Sequence, residues 1–379
     1  MSRLYKFLDL EEVNRPFMAD IRSALDRVAL SGRYVGGPEV ETFERMLADM
    51  TGTRHAVGVS NGLDALRMIF RALILLGRLQ PGDEVLVPAN TYIASVLAVT
   101  DAGLRPVPVD IDAYTSNMTA GAVMRAIGPR TRAVLPVHLY GRACWDDELK
   151  EIISENNLIV VEDNAQAIGA VATSAGLISS SCHTGALGHA AAFSFYPTKN
   201  VGALGDAGAV TTCDDELAAA VRALSNYGSD RRYHNIYAGF NCRLDPLQAA
   251  VLCVKLPHTD DVNASRQAVA DTYLRHISNP LVELPAPSKD GNCVWHQFVV
   301  RTAMRDSFRE YLAANGVQTD INYPVPPHLQ PCYAESMAAV SAPVAELMSQ
   351  RLLCLPVSAC TSVDDAVEIS AIINRYSEK

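Results

Sequence analysis

Apolar positions recur along the first fifty residues with the period of a helix. Phe17, Ile21, Ala24, Leu25 and Val28 share one stripe, Ser31-Gly32 ends it, and Gly36-Gly37-Pro38 restarts the chain. Glu39 to Met50 predicts a second amphipathic helix with Val40, Phe43, Met46 and Leu47 inward. Beyond it, short apolar runs alternate with helical stretches. Strands are expected at His55 to Val59, Glu84 to Pro88, Pro106 to Asp110, Ala133 to Val137 and Leu158 to Glu162. Helices are expected between them at Asp64 to Leu76, Ile93 to Asp101, Thr119 to Ile127 and Asp146 to Asn156. Runs that are apolar on both faces and alternate with helices predict an α/β fold with a mostly parallel sheet covered on both sides. Ala190 to Phe195 and Ala209 to Thr212 add strands; Asp215 to Ser225 and Asp245 to Leu256 add helices, with a basic and aromatic loop, Tyr227 to Phe240, between them. From about Pro257 the rhythm changes. A helix, a strand at Trp295 to Arg301, a helix at Asp306 to Asn315, a strand at Val317 to Tyr323 and two final helices predict a smaller α+β unit. The expected division is a large domain over residues 1–256 and a small C-terminal domain over 257–379.

Composition narrows the function classes. A chain of 379 residues with 49% hydrophobic and 20% charged residues has the make-up of a globular protein with a large core. The formal net charge of -10 argues against a general nucleic-acid binder, while leaving room for a local basic pocket. The nine cysteines are scattered and form no C-x-x-C pair, the pattern of reduced thiols without a zinc site or disulfide framework. Met1 to Glu12 lacks the apolar core of a signal peptide, and no uncharged stretch is long enough for a bilayer. The expectation is a cytoplasmic protein with no membrane, nucleic-acid or metal partner.

The candidate chemistry centres on Lys199. It follows the apolar run ending at Phe195 and the Pro197 turn, and no charged residue lies within six positions on either side. A lysine held among apolar and small groups loses its proton readily and can form a Schiff base, although a surface loop lysine fits the same stretch. Ser60-Asn61-Gly62-Leu63-Asp64 joins a strand to a helix. It either merely caps that helix or offers its free amides to a phosphate. No G-x-G-x-x-G or Walker lysine supports a dinucleotide or nucleoside triphosphate cradle. Asp163 stands at the carboxyl end of a buried strand, where it can cap the next helix or pair with a ligand cation such as a pyridinium. Tyr92 follows the strand ending at Pro88, as a core tyrosine or as a ring stacked on a flat cofactor. Taken together the four fit one ligand, pyridoxal 5′-phosphate: phosphate at Gly62, ring on Tyr92, ring nitrogen on Asp163, aldehyde on Lys199.

These residues resemble the DegT/StrS-type sugar aminotransferases, of the aspartate-aminotransferase fold (fold type I). The resemblance runs through Ser60 to Leu66, Pro88 to Tyr92, Pro136 to Gly141, Glu162 to Gln166, Phe193 to Asn200, Gly205 to Ala209 and Asn241 to Asp245. It implies that Lys199 carries the cofactor and shuttles the proton. Asp163 would bind the ring nitrogen, with Gln166 near the ring hydroxyl. Gly62, Leu63, Ser194 and Asn241 would hold the phosphate, Asn241 serving the partner's site in an obligate homodimer with shared active sites. Tyr196, Asn322, Tyr323 and His328 match positions near the sugar nucleotide, and Arg243, with Arg231 and Arg232, offers charge to its pyrophosphate unless that loop is only a solvated dimer rim. The implied reaction moves an amino group from glutamate to a keto-sugar nucleotide, foremost C3 of a dTDP-3-keto-6-deoxyhexose. The alternatives are C4 amination, a UDP- or GDP-linked sugar, or a non-catalytic regulatory relative. Lys199 argues against the sugar-dehydrating branch, which has histidine there. Two departures stand out. Asn322 replaces a common histidine in the His-Tyr-Pro motif, which removes a group able to carry a proton. Ala172 to Thr184 is longer and richer in serine than expected, as either a reshaped pocket rim or a surface insertion.

Overall fold

Strands β1 (His55–Val59), β2 (Glu84–Pro88), β3 (Arg105–Val109), β4 (Thr131–Val134), β5 (Ile159–Asp163), β6 (Ala190–Ser194) and β7 (Gly208–Thr212) form one sheet in the order β1-β7-β6-β5-β4-β2-β3. The computed structural model describes residues 3–377; the outer ends of the two expected domains, 1–2 and 378–379, lie outside the described residues. Pairing is parallel from β3 across to β6, and β7 runs antiparallel to both β6 and β1. Parallel neighbours need a crossover, usually a helix. The connection from β6 to β7 contains no helix, so the chain doubles back and the strand returns antiparallel.

Helices α1 (Met18–Ser31), α2 (Pro38–Thr51), α3 (Gly62–Leu75), α4 (Ile93–Asp101), α5 (Ala120–Ala126), α6 (Asp147–Glu155), α7 (Asp215–Ser225) and α8 (Pro246–Lys255) belong to this part of the chain. Alternation along the strands divides the core between two faces. Val57, Val85, Val161 and Val210 pack with Leu66, Val96 and Leu217 from α3, α4 and α7. Their strand neighbours point the other way: Ala56, Ala191 and Ala209 meet Phe43 and Ala249 from α2 and α8. Leu86, Val134 and Val160 meet Val123 and Leu149 from α5 and α6. Helix α1 stops where Gly32 takes the left-handed conformation (φ 69°), as its Ser-Gly pair predicts.

Residues beyond α8 build a second core. Helices α9 (Thr259–His276), α10 (Arg305–Ala314), α11 (Pro343–Arg351) and α12 (Val363–Asn374) accompany two antiparallel strands, β8 (Phe298–Arg301) and β9 (Leu352–Leu355). Tyr273, Trp295, Phe298, Phe308, Leu353 and Ile369 are packed together there. Two expectations need correction. Strand β8 starts at Phe298, because Trp295 has a positive φ of 49° that no strand accommodates. Val317 to Tyr323 does not form a strand. Its backbone divides between two partners, Tyr5 and Cys354, and single bridges replace a continuous ladder. The ladder partner of β8 is β9, an apolar run that directly continues α11. The loop Tyr227 to Phe240 carries a small hairpin, Ser229–Arg231 with His234–Asn235. Among the described residues no helix is long and apolar enough to cross a membrane. None of their His, Cys, Asp and Glu side chains are grouped to hold a metal ion.

Candidate active site

Because β1, β5 and β6 are parallel, their carboxyl ends share one edge of the sheet, and β7 begins at that edge. Gly208 at the start of β7 lies opposite both Val59 and Ser194, so the turn after β1 and the end of β6 are brought side by side. Asn61 caps α3, its Oδ1 accepting from the Asp64 amide at 2.9 Å. The amides of Gly62 and Leu63 then open the helix with no acceptor inside it. Both glycines are demanded by contact. A Cβ on Gly62 would lie 2.7 Å from Ser194 Cβ, and one on Gly208 would lie 2.4 Å from the Asn61 carbonyl carbon.

Asp163 ends β5, buried. Ser95 Oγ donates to its Oδ2 at 2.7 Å and the Ala165 amide to its Oδ1 at 3.2 Å. One residue before it, Glu162 points into the opposite face. It accepts from the amides of Gly185, Leu187 and Gly188 at 2.7–2.9 Å and from His138 Nε2 at 2.9 Å. His138 Nδ1 accepts from the Cys144 amide, so the ring carries its proton on Nε2. This anchor fixes the segment feeding β6. Gln166 Oε1 accepts from the Tyr140 amide at 2.6 Å while its Nε2 donates to Tyr323 Oη at 3.1 Å. Tyr323 sits 5.3 Å, centroid to centroid, from the exposed ring of Tyr92. Burial, then the Asp163 carboxylate, pushes the Tyr323 phenol up and keeps it protonated.

Lys199 occupies the β6–β7 connection. Its amide closes a turn onto the Tyr196 carbonyl, and Phe195 and Ala203 are bonded across the loop. Gly202 has no room for a side chain: a Cβ would meet the Pro197 carbonyl oxygen at 2.4 Å. Asn200 pins the loop through Nδ2 to Asn263 Oδ1 and the Val294 carbonyl, and its Oδ1 accepts from His296 Nδ1 at 3.1 Å. Buried Lys255 donates to the Gly202 carbonyl and to Asn14 Oδ1. Burial lowers the Lys199 ammonium to about 8, with the nearby Asp163 carboxylate opposing the shift. His296 is held well below the usual imidazole range by burial, then by the charges of Lys199 and Arg266. It is therefore neutral.

A cleft of about 790 Å³ opens at this edge. Of the residues expected to hold a cofactor, Gly62, Leu63, Tyr92, Asp163, Gln166 and Ser194 line it together with Lys199. Tyr196, Asn322 and Tyr323 line it too. Asn322 is positioned through its backbone carbonyl, which accepts from the Tyr140 hydroxyl. Three expected residues lie elsewhere. Asn241 is exposed and outside the cleft of its own chain, bridged to Asn226. Arg243 donates to Asn226 Oδ1 at 2.9 Å and lies over the Tyr227 ring. His328 is buried with Nε2 3.2 Å from Glu346 Oε1. The segment Ala172 to Thr184 contributes nothing to the cleft. It packs outward, the Ala175 carbonyl accepting from Lys150 Nζ and Ser181 Oγ donating to the Thr51 carbonyl.

Sequence reasoning missed part of the wall. Phe7, Leu8 and Leu10 close one side, and Arg266, His296 and Asp320 contribute polar groups. The apolar density of residues 4–10 in a segment otherwise rich in charge was the available signal for the first group. Arg266 and His296 carried none, since each lies beside other polar residues, Ser265 and Gln267 in one case and Gln297 in the other, in an unremarkable stretch.

Fold and site together define a PLP-type-I-like α/β protein: a mostly parallel sheet whose edge gathers a desolvated lysine, a buried carboxylate and the amino end of a glycine-started helix. Residues 17–374 match the DegT/DnrJ/EryC1/StrS aminotransferase family, and the chain belongs to it. It is 44% identical over 370 residues to dTDP-3-amino-3,6-dideoxy-alpha-D-galactopyranose transaminase of Aneurinibacillus thermoaerophilus, covering 98% of this chain and 99% of that one. It is also 44% identical to dTDP-3-amino-3,4,6-trideoxy-alpha-D-glucose transaminase of Streptomyces venezuelae, over 98% and 96% of the two chains. Among solved structures, S. venezuelae DesV with a ketimine intermediate superposes with a TM-score of 0.93 at 43% identity over 100% of both chains.

Proposed function

We propose that this chain transfers an amino group from glutamate to C3 of a dTDP-linked 3-keto-6-deoxyhexose, using pyridoxal 5′-phosphate. The carrying observation is the meeting of Lys199 and Asp163 in one cleft at one sheet edge. The similarity to two transaminases of dTDP-3-amino sugars supports the substrate class.

The residues present fit the cofactor. The Gly62 and Leu63 amides open a 14-residue helix beside the Ser194 hydroxyl, a cradle that a Cβ at Gly62 would fill, and these groups would hold the phosphate. Tyr92 would stack on the ring, Asp163 would keep the ring nitrogen protonated, and Gln166 would sit near the ring hydroxyl. When bound, the cofactor supplies an aldehyde for amine exchange and an electron sink for the carbanion. Lys199 Nζ, depressed to about 8, takes the proton from the donor's α-carbon and later returns one to the sugar carbon. Ser95 orients the Asp163 carboxylate through its hydrogen bond. Presence of both Lys199 and Asp163 speaks for catalysis rather than a purely regulatory role.

The finer assignments belong to the same proposal. Residues 1–256 would form the cofactor-binding domain and 257–379 the smaller one. Two copies would form a homodimer in which Asn241 serves the other copy's phosphate; its exposure, and that of Leu30, Tyr34, Val35 and Tyr233, supports a covered face. Arg243 and His328 would act near the substrate only through that assembly or through their neighbours. All nine cysteines are free, which accords with a reducing, cytoplasmic setting. The test is the Lys199→Ala variant, assayed with glutamate and a panel of keto-sugar nucleotides. Amino-sugar formation is expected to fall at least about a thousandfold while the folded protein keeps its secondary structure by circular dichroism. Wild-type turnover in that variant would refute the assignment.

A further inference from the structure

Lys255 ends α8, only 5% exposed and outside the cleft lining. Its ammonium donates to the Gly202 carbonyl at 2.6 Å and to Asn14 Oδ1 at 2.9 Å, both neutral acceptors. No carboxylate acts on it among the described residues, and burial alone draws it down to about 8. Its chain neighbours Val251, Leu252 and Leu256 are buried and apolar. A methionine of similar length would pack there without the desolvation that a buried cation incurs. What the ammonium supplies instead is a link between two segments far apart in sequence. On one side is Gly202, three residues beyond Lys199 in the β6–β7 connection. On the other is Asn14, at the end of the short helix Leu10–Asn14. Its Nδ2 turns back to the Leu10 carbonyl at 2.8 Å, and Leu10 lines the cleft with Phe7 and Leu8. One hydrogen-bonded chain thus runs from the cleft wall through Asn14 and Lys255 to the loop that holds Lys199.

We propose that Lys255 is a positioning residue for the reaction: its ammonium ties the Lys199 loop to the N-terminal wall and so holds the Lys199 amine in place. The inference rests on the amino-transfer reading above, and gives a role within it to a side chain outside the cleft. Without the tether the Gly202 carbonyl loses its donor inside a buried turn, so that either water enters or the loop shifts. Both outcomes reach Lys199. Water relieves the burial that depresses its amine, and a shift of about 1 Å in a reacting group costs about a hundredfold in rate.

The test compares wild type, Lys255→Met, Asn14→Leu and the double variant, each checked for folding by circular dichroism. One measurement is capture of a small aldehyde by full-length, cofactor-free protein across pH, trapped by borohydride and mapped to position 199. The other is steady-state amino transfer from glutamate to a dTDP-3-keto-6-deoxyhexose by cofactor-loaded protein. In Lys255→Met the capture rate should level off about one pH unit or more higher. Its kcat should fall about tenfold or more, with KM changing less than about threefold. A role in stability alone would lower the melting temperature and leave the levelling pH and the kcat of folded protein unmoved. Asp163, which acts on Lys199, and the neutral His296, which feels its charge, are the same in every variant, so a moved levelling pH reports exposure of the amine. Asn14 acts through the same link. Asn14→Leu should therefore move both readings the same way but less, and the double variant should be no worse than Lys255→Met. Wild-type levelling pH and kcat in folded Lys255→Met would overturn this inference and leave amino transfer standing; if that variant does not fold, the same result in Asn14→Leu overturns it. If wild type transfers no amine, the amino-transfer reading falls, and aldehyde capture still decides whether Lys255 places the lysine.

Discussion

At the scale of single residues, the chemistry turns on how far burial has moved one amine. With a value of about 8 in place of 10.5, roughly a tenth of Lys199 is unprotonated at pH 7, against about three in ten thousand for an ordinary lysine. We expect cofactor-free protein to capture a small aldehyde at Lys199, trapped by borohydride and read by peptide mapping. The rate should rise with pH and level off near 8; a rate still rising steeply at pH 10 would show the amine to be unshifted. The same shift has a sign for stability. Between about pH 8 and 10.5 the unfolded chain holds the proton that the folded chain has lost, so this lysine's contribution raises stability as pH rises through that window. Lys199 was legible in the sequence as a charge standing alone beside an apolar run, and Asp163 as an acid at the carboxyl end of one. Ser95, His296 and Arg266 were not, because a hydrogen bond from Ser95 to Asp163 is made by the sheet order and leaves no local pattern.

At the scale of elements, three backbone segments converge so closely that side-chain volume becomes the decisive variable. A methyl group at Gly62 meets the Ser194 side chain, whereas one at Gly208 meets the Asn61 backbone itself. Gly208→Ala should therefore destabilise more than Gly62→Ala, about 3 kcal/mol or more against about 1–2 kcal/mol, measured by denaturant unfolding. Adding Ser194→Gly to Gly62→Ala removes the clashing atom and should recover most of the loss, while adding it to Gly208→Ala should not. Equal costs for the two single variants would contradict the packing described. The alternation of strands and helices was readable because most strands are buried on both faces and most helices on one. The segment Val317 to Tyr323 misled for a physical reason: its alternating apolar residues look like a strand, but the backbone is shared between the start of the chain and β9. Strand β9 escaped notice because Leu352 to Leu355 follows α11 directly, with no turn residue between helix and strand.

At the scale of the whole molecule, the residues that fall outside the cleft carry the prediction. On the proposed shared-site homodimer, Asn241→Ala and Lys199→Ala proteins should each be nearly inactive, and mixing them under subunit exchange should restore activity, because one site of each mixed dimer would then have both residues intact. A steady-state assay checks this, with size-exclusion chromatography confirming exchange; well-mixed dimers without recovery would place Asn241 outside the shared site. The change of rhythm near Pro257 was legible in the sequence, but closure between distant chain segments was not, since sequence pattern is local. The clearest closure is that of the first residues. Tyr5 is bridged to Val317, the Phe7 amide is bonded to Gln318, and Arg3 pairs with Asp365. At about 5–20 residues per second, ribosomal synthesis delivers those residues roughly 15 to 75 seconds before their partners exist. A nascent chain carries Phe7 without its packing partners Leu352 and Cys354 until β9 has emerged, so a chain halted before β9 would have the sheet and Lys199 but not the packing that holds Phe7 at the cleft.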